Sequence, residues 1–304
     1  MNPIDLSIII VSWNTRALLE ACLASIRQHA GGALVEVIVV DNASSDGTQD
    51  LLKQNWAAVN LIENDHNAGF ARANNQGMAI ARGRHVLLLN SDTRVHAGAL
   101  QAMVQFADAH PKAGVVGCTL LNDDGTLQAS WARFPTLGSE VRGKNARARR
   151  RLEGEPASVE AYDVDWVGGA AMLIRADTLK QVGGLDEGIF MYTEETDYCY
   201  RVRLAGWRVC YLASATITHL GGGSMSRGNL TQLQRLYNSK IYFFRKHYGA
   251  PSAFALRLGL AGANAFGLAR RGFKLLLKGR RDQEGWARVS TQARLVNHLL
   301  LGRE

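Results

Sequence analysis

The chain has 304 residues, 47% hydrophobic and 20% charged, enough apolar material for one large α/β domain, or one with a helical appendage, without a disulfide or metal staple. Its net charge of +8 is unevenly placed: from Phe254 to Glu304 ten Lys or Arg face three Asp or Glu, a local +7, leaving +1 for everything before. A near-neutral body with a basic tail argues against a uniformly basic nucleic-acid binder and suits a tail resting on an anionic membrane.

The start, Met1 to Trp13, has neither a basic leader nor an apolar run long enough for a signal peptide, and reads as a first strand. No spanning helix is expected, because the most apolar stretch, Ala253 to Ala269, is interrupted by Arg257 and several glycines. Strand-like runs at Leu6 to Val11, Val35 to Val40, Asn60 to Glu63 and His85 to Leu89 alternate with helix-like runs near Thr15 to Gln28, Gly47 to Gln54 and Phe70 to Ala81. That alternation predicts βαβ units and a parallel sheet. A helix over Ala97 to His110, ended by Pro111, and a strand over Gly114 to Leu121 follow. After the turn at Asn122 to Gly125 the pattern weakens, and residues 128–161, rich in arginine, read as a mobile basic loop or lid. Order returns at Trp166 to Ile174, with a helix over Glu194 to Ala205, a strand over Arg208 to Leu212 and a long helix over Leu230 to His247. The expected organisation is a domain over residues 1–250 and a basic amphipathic helical tail over 251–304.

The tail assignment rests on angles. At about 100° per residue, Leu258, Ala265, Phe266, Ala269, Phe273 and Leu276 share one arc, and Arg270, Arg271, Lys274, Lys278 and Arg281 share another. Such a helix either lies on a membrane surface or packs its apolar side on the body and leaves its basic side in water. The four cysteines, Cys22, Cys118, Cys199 and Cys210, have no Cys-x-x-Cys spacing, so neither zinc nor a disulfide framework is suggested and a reducing, cytoplasmic location fits.

Three places hold chemistry. Asp41 ends the second strand and precedes the turn Asn42 to Gly47, where a carboxylate either accepts from a pyrimidine N3–H or ribose hydroxyl, or caps the next helix. A Gly-x-Gly-x-x-Gly after the first strand is lacking, which argues against a dinucleotide site. Asn90-Ser91-Asp92 puts one hard oxygen ligand at a strand end, suited to Mg²⁺ or Mn²⁺ carrying a diphosphate, with His219 as a second ligand or a structural residue. Glu194 and Glu195 offer a general base, with Asp197 and Arg201 spaced to pair behind them; the plainer reading is a solvated first helical turn.

In order along the chain, Val11-Ser12-Trp13-Asn14, Val40-Asp41-Asn42-Ala43-Ser44-Ser45-Asp46-Gly47-Thr48 and Asn67-Ala68-Gly69-Phe70 through Gly77 are followed by Leu89-Asn90-Ser91-Asp92-Thr93 and Trp166-Val167-Gly168-Gly169-Ala170. Glu194-Glu195-Thr196-Asp197, Gly206-Trp207 and His219 complete the series. This series resembles the family 2 glycosyltransferases, in particular their rhamnosyltransferase-like branch, over residues 6–225. The resemblance implies a GT-A fold, a mostly parallel twisted sheet flanked by helices. It implies that Asp41 holds the base, that Ser12, Trp13 and Asn14 line the base and ribose pocket, and that Asn67, Asn90, Ser91, Gly168 and Gly169 also touch the nucleotide sugar. Asp92 would close an Asp-x-Asp-type motif whose first position here is Asn90, and His219 would complete the shell of a Mg²⁺ or Mn²⁺ ion. The second acid of the Glu-Asp pair, here Glu195 with Glu194 as alternative, would be the base of an inverting transfer, with Asp197 behind it. The donor implied is dTDP-rhamnose or a UDP-sugar, and the acceptor a glycan or lipid-linked glycan in cell-surface polysaccharide synthesis at the cytoplasmic face of the inner membrane.

Three rivals fit less of the chain. A sugar nucleotidyltransferase would need a Gly-rich basic phosphate loop where Ser12-Trp13-Asn14-Thr15 stands. A non-catalytic nucleotide- or glycan-binding module would have no use for the acids at 194 to 197. A membrane-associated assembly protein would need the tail alone.

Overall fold

The computed structural model describes residues 4–142, 161–221, 230–278 and 283–301. Its contacts divide it into two compact units. The first holds residues 4–134, 161–190 and 194–221, and the second holds 135–142, 191–193, 230–278 and 283–301.

The first unit is built on strands β1 (Leu6–Ser12), β2 (Val35–Asp41), β3 (Asn60–Glu63), β4 (His85–Asn90), β5 (Thr93–Val95), β6 (Ala113–Leu121), β11 (Ala171–Arg175) and β12 (Arg208–His219). They lie in the order β3-β2-β1-β4-β11-β6-β12-β5, with β7 (Leu127–Gln128) on β6 and β9 (Ala161–Asp163) on β12. β3, β2, β1 and β4 are mutually parallel and β12 runs parallel to β6, whereas β11 is antiparallel to both its neighbours and β5 is antiparallel to β12. A separate two-stranded pair joins β8 (Trp131–Ala132) to β10 (Trp166–Val167). The helices are α1 (Arg16–His29), α2 (Thr48–Asn55), α3 (Phe70–Ile80), α4 (Ala99–Ala109), α6 (Ala176–Val182) and α7 (Glu194–Leu204), with α5 (Leu137–Arg142) assigned to the second unit.

The strands read as continuous apolar runs because both faces of the sheet are covered. Successive residues point to opposite faces, so Ile8, Ile10, Val39, Leu87 and Leu89 share one core with Leu19, Leu23 and Ile26 of α1 and Leu100, Met103 and Phe106 of α4. Ile9, Ile38, Val40, Val86, Leu88 and Met172 form the other core with Ala71, Ala73 and Met78 of α3 and Tyr198, Cys199 and Val202 of α7. Gly77 lets α3 approach closely: a Cβ there would stand 2.5 Å from Ile9 Cγ2. The four cysteines are free and buried.

Two sequence expectations change here. The last major strand runs to His219 rather than Leu212, because a register shift between Leu212 and Thr216 absorbs the small residues Ala213, Ser214 and Ala215, after which the chain resumes pairing with β6 and adds β5. Within the stretch expected as a basic loop, residues 128–142 hold β8 and α5, and residues 143–160 lie outside the described residues.

The second unit packs α8 (Leu230–Tyr248), α9 (Ala250–Lys278) and α10 (Gln283–Leu301) with α5. Lys240 Nζ meets the buried Glu140 Oε2 at 2.6 Å, His298 Nε2 pairs with Asn238 Oδ1 at 2.9 Å, and Gln292 Nε2 donates to the Asn264 carbonyl at 3.0 Å. α9 turns Ala253, Leu256, Leu260, Ala261 and Leu275 inward. Its other side is open: Phe254, Leu258, Phe266 and Phe273 are 62%, 49%, 74% and 64% exposed, and Ala265 and Ala269 are exposed between them. Ala250–Leu275, which covers the stretch read from sequence as too interrupted to span, is by length and composition alone long and apolar enough to cross a membrane. Arg257, Arg270, Arg271 and Lys274 are its charges, and the glycines did not break the helix, whose inner side packs at Ala253, Leu256, Leu260, Ala261 and Leu275.

Candidate active site

The register of the sheet brings the strand ends level. Ser12 pairs with Asp41 and Val11 with Asn90, so the ends of β2 and β4 flank the end of β1, about 10 Å apart across two strand spacings. The segments that follow are tied together by side chains. Thr15 Oγ1 bridges Ser12 Oγ and Ser91 Oγ, both at 3.0 Å. Asn14 takes a left-handed backbone (φ 53°); its N–H donates to Ser44 Oγ at 2.9 Å and its Oδ1 accepts from Ser45 N–H at 2.8 Å, which locks the β1 and β2 loops to each other. Trp13 beside it is half exposed.

Asp41 is fully buried. One carboxylate oxygen, Oδ2, accepts from Ser44 N–H at 3.0 Å and Gln49 Nε2 at 2.8 Å, while Oδ1 is buried without a partner among the described residues. A buried acceptor left unpaired is costly, and a ligand donor is the natural remedy. Asn42, nearly as buried, joins Asn64, Gln76 and Asn67 in an amide network: Asn64 Nδ2 donates to Asn42 Oδ1 at 2.8 Å, and Asn67 Oδ1 accepts from Gly69 N–H at 3.0 Å. Gly69 is needed as glycine, with φ at +85° and an added Cβ only 2.7 Å from the Phe190 ring.

On the other side, antiparallel pairing sets His219 opposite Thr93, and Leu220 N–H donates to the Asp92 carbonyl at 2.9 Å. His219 Nε2 therefore lies 3.2 Å from Asp92 Oδ1 and 3.3 Å from Asn90 Nδ2. Gln128 Nε2 donates to Asn122 Oδ1, so its Oε1 takes the proton of His219 Nδ1 at 2.6 Å and the lone pair of Nε2 faces Asp92. Two electron-rich atoms face one another there, an arrangement a cation relieves. One carboxylate and one imidazole fit a divalent ion that takes the rest of its shell from phosphate oxygens and water; among the described residues no cluster of three or more acidic, His or Cys ligands forms a closed cage.

Asn90 N–H donates to the Ala170 carbonyl at 3.0 Å, and Gly168 N–H to the Ser130 carbonyl at 2.8 Å. Gly169, between them, adjoins α7: a Cβ on it would lie 3.7 Å from Glu195 Cβ and 3.8 Å from the Phe70 ring. Glu195 is thus joined to the β4 end through the 168–170 segment. It is half buried, whereas Glu194 is buried and Asp197 completely so, its Oδ2 accepting from Arg201 Nε at 2.8 Å. Arg201 also donates to the Val182 and Gly184 carbonyls, anchoring α7. The structure accordingly assembles Ser12, Asn14, Asp41, Asn67, Asn90, Ser91, Asp92, Gly169, Glu195 and His219 around the strand ends, and holds Asp197 behind them in an ion pair. Gln128, Gln49 and Thr15 are partners that sequence reading missed: Gln49 and Thr15 lie in runs read only as helices and Gln128 in the stretch read as a loop, and nothing in spacing marks any of them as a partner of the site.

An α/β sheet whose strand ends carry a buried unpaired carboxylate, a carboxylate–imidazole pair and a half-buried glutamate has the GT-A architecture of enzymes that handle nucleotide sugars. Residues 7–177 match the model of glycosyl transferase family 2, and the chain belongs to that family; it is a glycosyltransferase. It is 30% identical to an N-acetylglucosaminyl-diphospho-decaprenol L-rhamnosyltransferase of Mycobacterium tuberculosis over 84% of this chain and 90% of the relative. It is 26% identical to the rhamnosyltransferase WbbL of Escherichia coli K12 over 70% of this chain and 82% of the relative. Among solved structures, its fold is similar to the mannosyltransferase PcManGT of Pyrobaculum calidifontis in complex with GDP-Man and Mn²⁺, with a TM-score of 0.62, 18% identity, and cover of 100% of this chain and 89% of that one.

Proposed function

We propose that this enzyme moves a sugar, rhamnose from dTDP-rhamnose or another sugar from a UDP-linked donor, onto a hydroxyl of a lipid-linked glycan during cell-surface polysaccharide assembly. The names of the two rhamnosyltransferase relatives support rhamnose as the sugar, and that of the Mycobacterium tuberculosis relative supports a lipid-diphosphate-linked N-acetylglucosamine as the acceptor class. The unpaired buried Asp41 Oδ1 carries the nucleotide reading, because uracil and thymine both present an N3–H donor.

In this reading Asp41 fixes the base, Trp13 and Asn14 border it, and Asp92 with His219 holds a divalent ion. That ion supplies positive charge against the leaving diphosphate. The Mn²⁺ of the similar solved structure and the imidazole nitrogen at His219 favour Mn²⁺ over Mg²⁺ here. Glu195, the least buried acid of its cluster, takes the acceptor proton as the hydroxyl oxygen attacks the anomeric carbon, and a single displacement inverts that centre. Asp197, neutralised by Arg201, keeps α7 in place.

A lipid-linked acceptor requires proximity to a bilayer. The exposed apolar side of α9, with Arg270, Arg271 and Lys274 exposed beside it, suits peripheral contact with the cytoplasmic face. The test is a transfer assay with dTDP-rhamnose and prenyl-diphosphate N-acetylglucosamine: product and dTDP are expected with Mn²⁺ and lost with chelator. A full panel of UDP- and dTDP-sugars giving no product with metal present would overturn the reading.

A further inference from the structure

The turn that joins β6 to β7 carries a line of polar side chains that ends at the imidazole of His219. Asn122 N–H donates to the Thr126 carbonyl at 2.8 Å and Gly125 N–H to the Asn122 carbonyl at 3.0 Å, so the turn is tight. The end of β6 then serves two partners: Leu120 pairs with Gln128 of β7, and Leu121 pairs with Thr218 of β12. Gln128 and His219, 91 positions apart in the chain, meet there.

The direction of each hydrogen bond in this line follows from the one before it. Asp124 is an exposed carboxylate and can only accept, from Thr126 N–H at 3.0 Å and from the Thr126 hydroxyl at 2.6 Å. The hydroxyl first, then the N–H, hold the Asp124 carboxyl below the usual carboxylate range, which keeps it charged. With its proton committed, Thr126 Oγ1 accepts from Asn122 Nδ2 at 2.8 Å. The other end of that amide, Oδ1, accepts from Gln128 Nε2 at 3.0 Å, and the His219 carbonyl, also an acceptor only, faces the same nitrogen at 3.4 Å. Gln128 Oε1 is thereby turned to His219 Nδ1 at 2.6 Å, and an amide oxygen there must receive the ring proton. The far side of the ring agrees: the Asn90 Nδ2 donor lies 3.3 Å from Nε2, where it meets a lone pair.

We infer that Asp124, Thr126, Asn122 and Gln128 form a one-way hydrogen-bond relay that pins the His219 proton on Nδ1, with Gln128 the positioning residue that keeps the Nε2 lone pair aimed at the place of the ion beside Asp92. The inference rests on the reading of Asp92 and His219 as the metal pair. A neutral histidine side chain in water prefers its proton on Nε2, and a nitrogen that carries a proton cannot ligate a cation. The relay reverses that preference before any ion arrives. Its effect is large for this chain because Asn90 stands at the first position of the strand-end motif, which leaves Asp92 and His219 as the two protein ligands. An exposed turn that touches neither the ion nor the sugar therefore sets how well the site holds its metal.

Nitrogen NMR on the full chain with isotope-labelled histidine, free of metal and at about pH 8, above the usual imidazole range, reads the tautomer directly. The His219 signals, assigned by their loss in His219→Gln, are expected to show a protonated Nδ1 and a bare Nε2; a proton on Nε2 would overturn the inference. Gln128→Leu removes the accepting oxygen and should move the proton to Nε2. Thr126→Val, in the exposed turn, should give a mixture of the two tautomers, and a spectrum identical to wild type would overturn the relay. Calorimetry of dTDP with Mn²⁺ and with chelator gives a second readout. Gln128→Leu should lose about ten-fold or more of the affinity that Mn²⁺ adds, with dTDP affinity in chelator within about two-fold of wild type. An undiminished Mn²⁺ gain in that variant would contradict the assignment. Should Gln128→Leu fail to fold, the wild-type and Thr126→Val spectra still decide. Wild type with the proton on Nδ1 but no effect of Mn²⁺ on dTDP would support the relay and refute the metal reading.

Discussion

At Asp41 one oxygen is spent on the chain and the other is left for a ligand. Because Ser44 N–H and Gln49 Nε2 hold Oδ2, an Asn at this position would keep its carbonyl on those two donors and turn its NH₂ to the place of Oδ1. Uracil or thymine N3–H would then meet a donor, whereas the N3 lone pair of cytosine would be matched. Asp41→Asn is therefore expected to weaken UDP and dTDP by about ten-fold or more and to raise CDP relative to them, read by calorimetry. An unaltered order of the three nucleotides would show that Asp41 does not read the base. The acids were legible in the sequence because strand ends in an α/β sheet are where carboxylates gather. Their second partners were not: Gln128 reaches His219 across 91 positions of chain, and no local spacing encodes that contact.

Among the elements, the parallel β1–β4 core and its helices were legible because strands buried on both faces are apolar throughout and the connecting helices carry a 3.6-residue period. The short strands β5 and β7 to β10 were not, since two or three residues carry no period. The most consequential miss was the length of β12. The sequence reading ended it at Leu212, yet pairing of Ile217 to His219 with β5 is what carries His219 to Asp92. Helix α3 gives an element-scale test of packing. Gly77→Ala must push Ile9 aside, at about 1–3 kcal/mol and a fall in Tm of a few degrees by calorimetry. Gly262→Ala on the open side of α9 meets nothing within 4 Å and should be neutral or stabilising by about 0.5–1 kcal/mol. Equal effects of the two would refute the close approach of α3 to the sheet.

For the molecule as a whole, charge and apolar exposure coincide in the C-terminal helices. The helical pattern of residues 254–273 was legible, and its two arcs were correctly separated; which arc faces outward was not, because a period is silent on which side finds a partner. Both arcs are exposed, the apolar one at Phe254, Phe266 and Phe273 and the basic one at Arg270, Arg271 and Lys274, while Ala253, Leu256, Leu260 and Leu275 turn inward. The intact chain should float with vesicles containing anionic lipid, and replacement of Phe254, Phe266 and Phe273 by Ser should release it without changing dTDP binding. Flotation unaffected by the three substitutions would remove α9 as the contact. The central claim is that strand-end groups hold the donor while a glutamate on a separate helix activates the acceptor. Glu195→Gln separates these functions most directly when donor affinity and turnover are measured on the same preparation. Donor affinity should stay within about two-fold of wild type while turnover falls by about a thousand-fold or more; a variant that turns over normally, or one that loses donor binding along with turnover, would contradict the account.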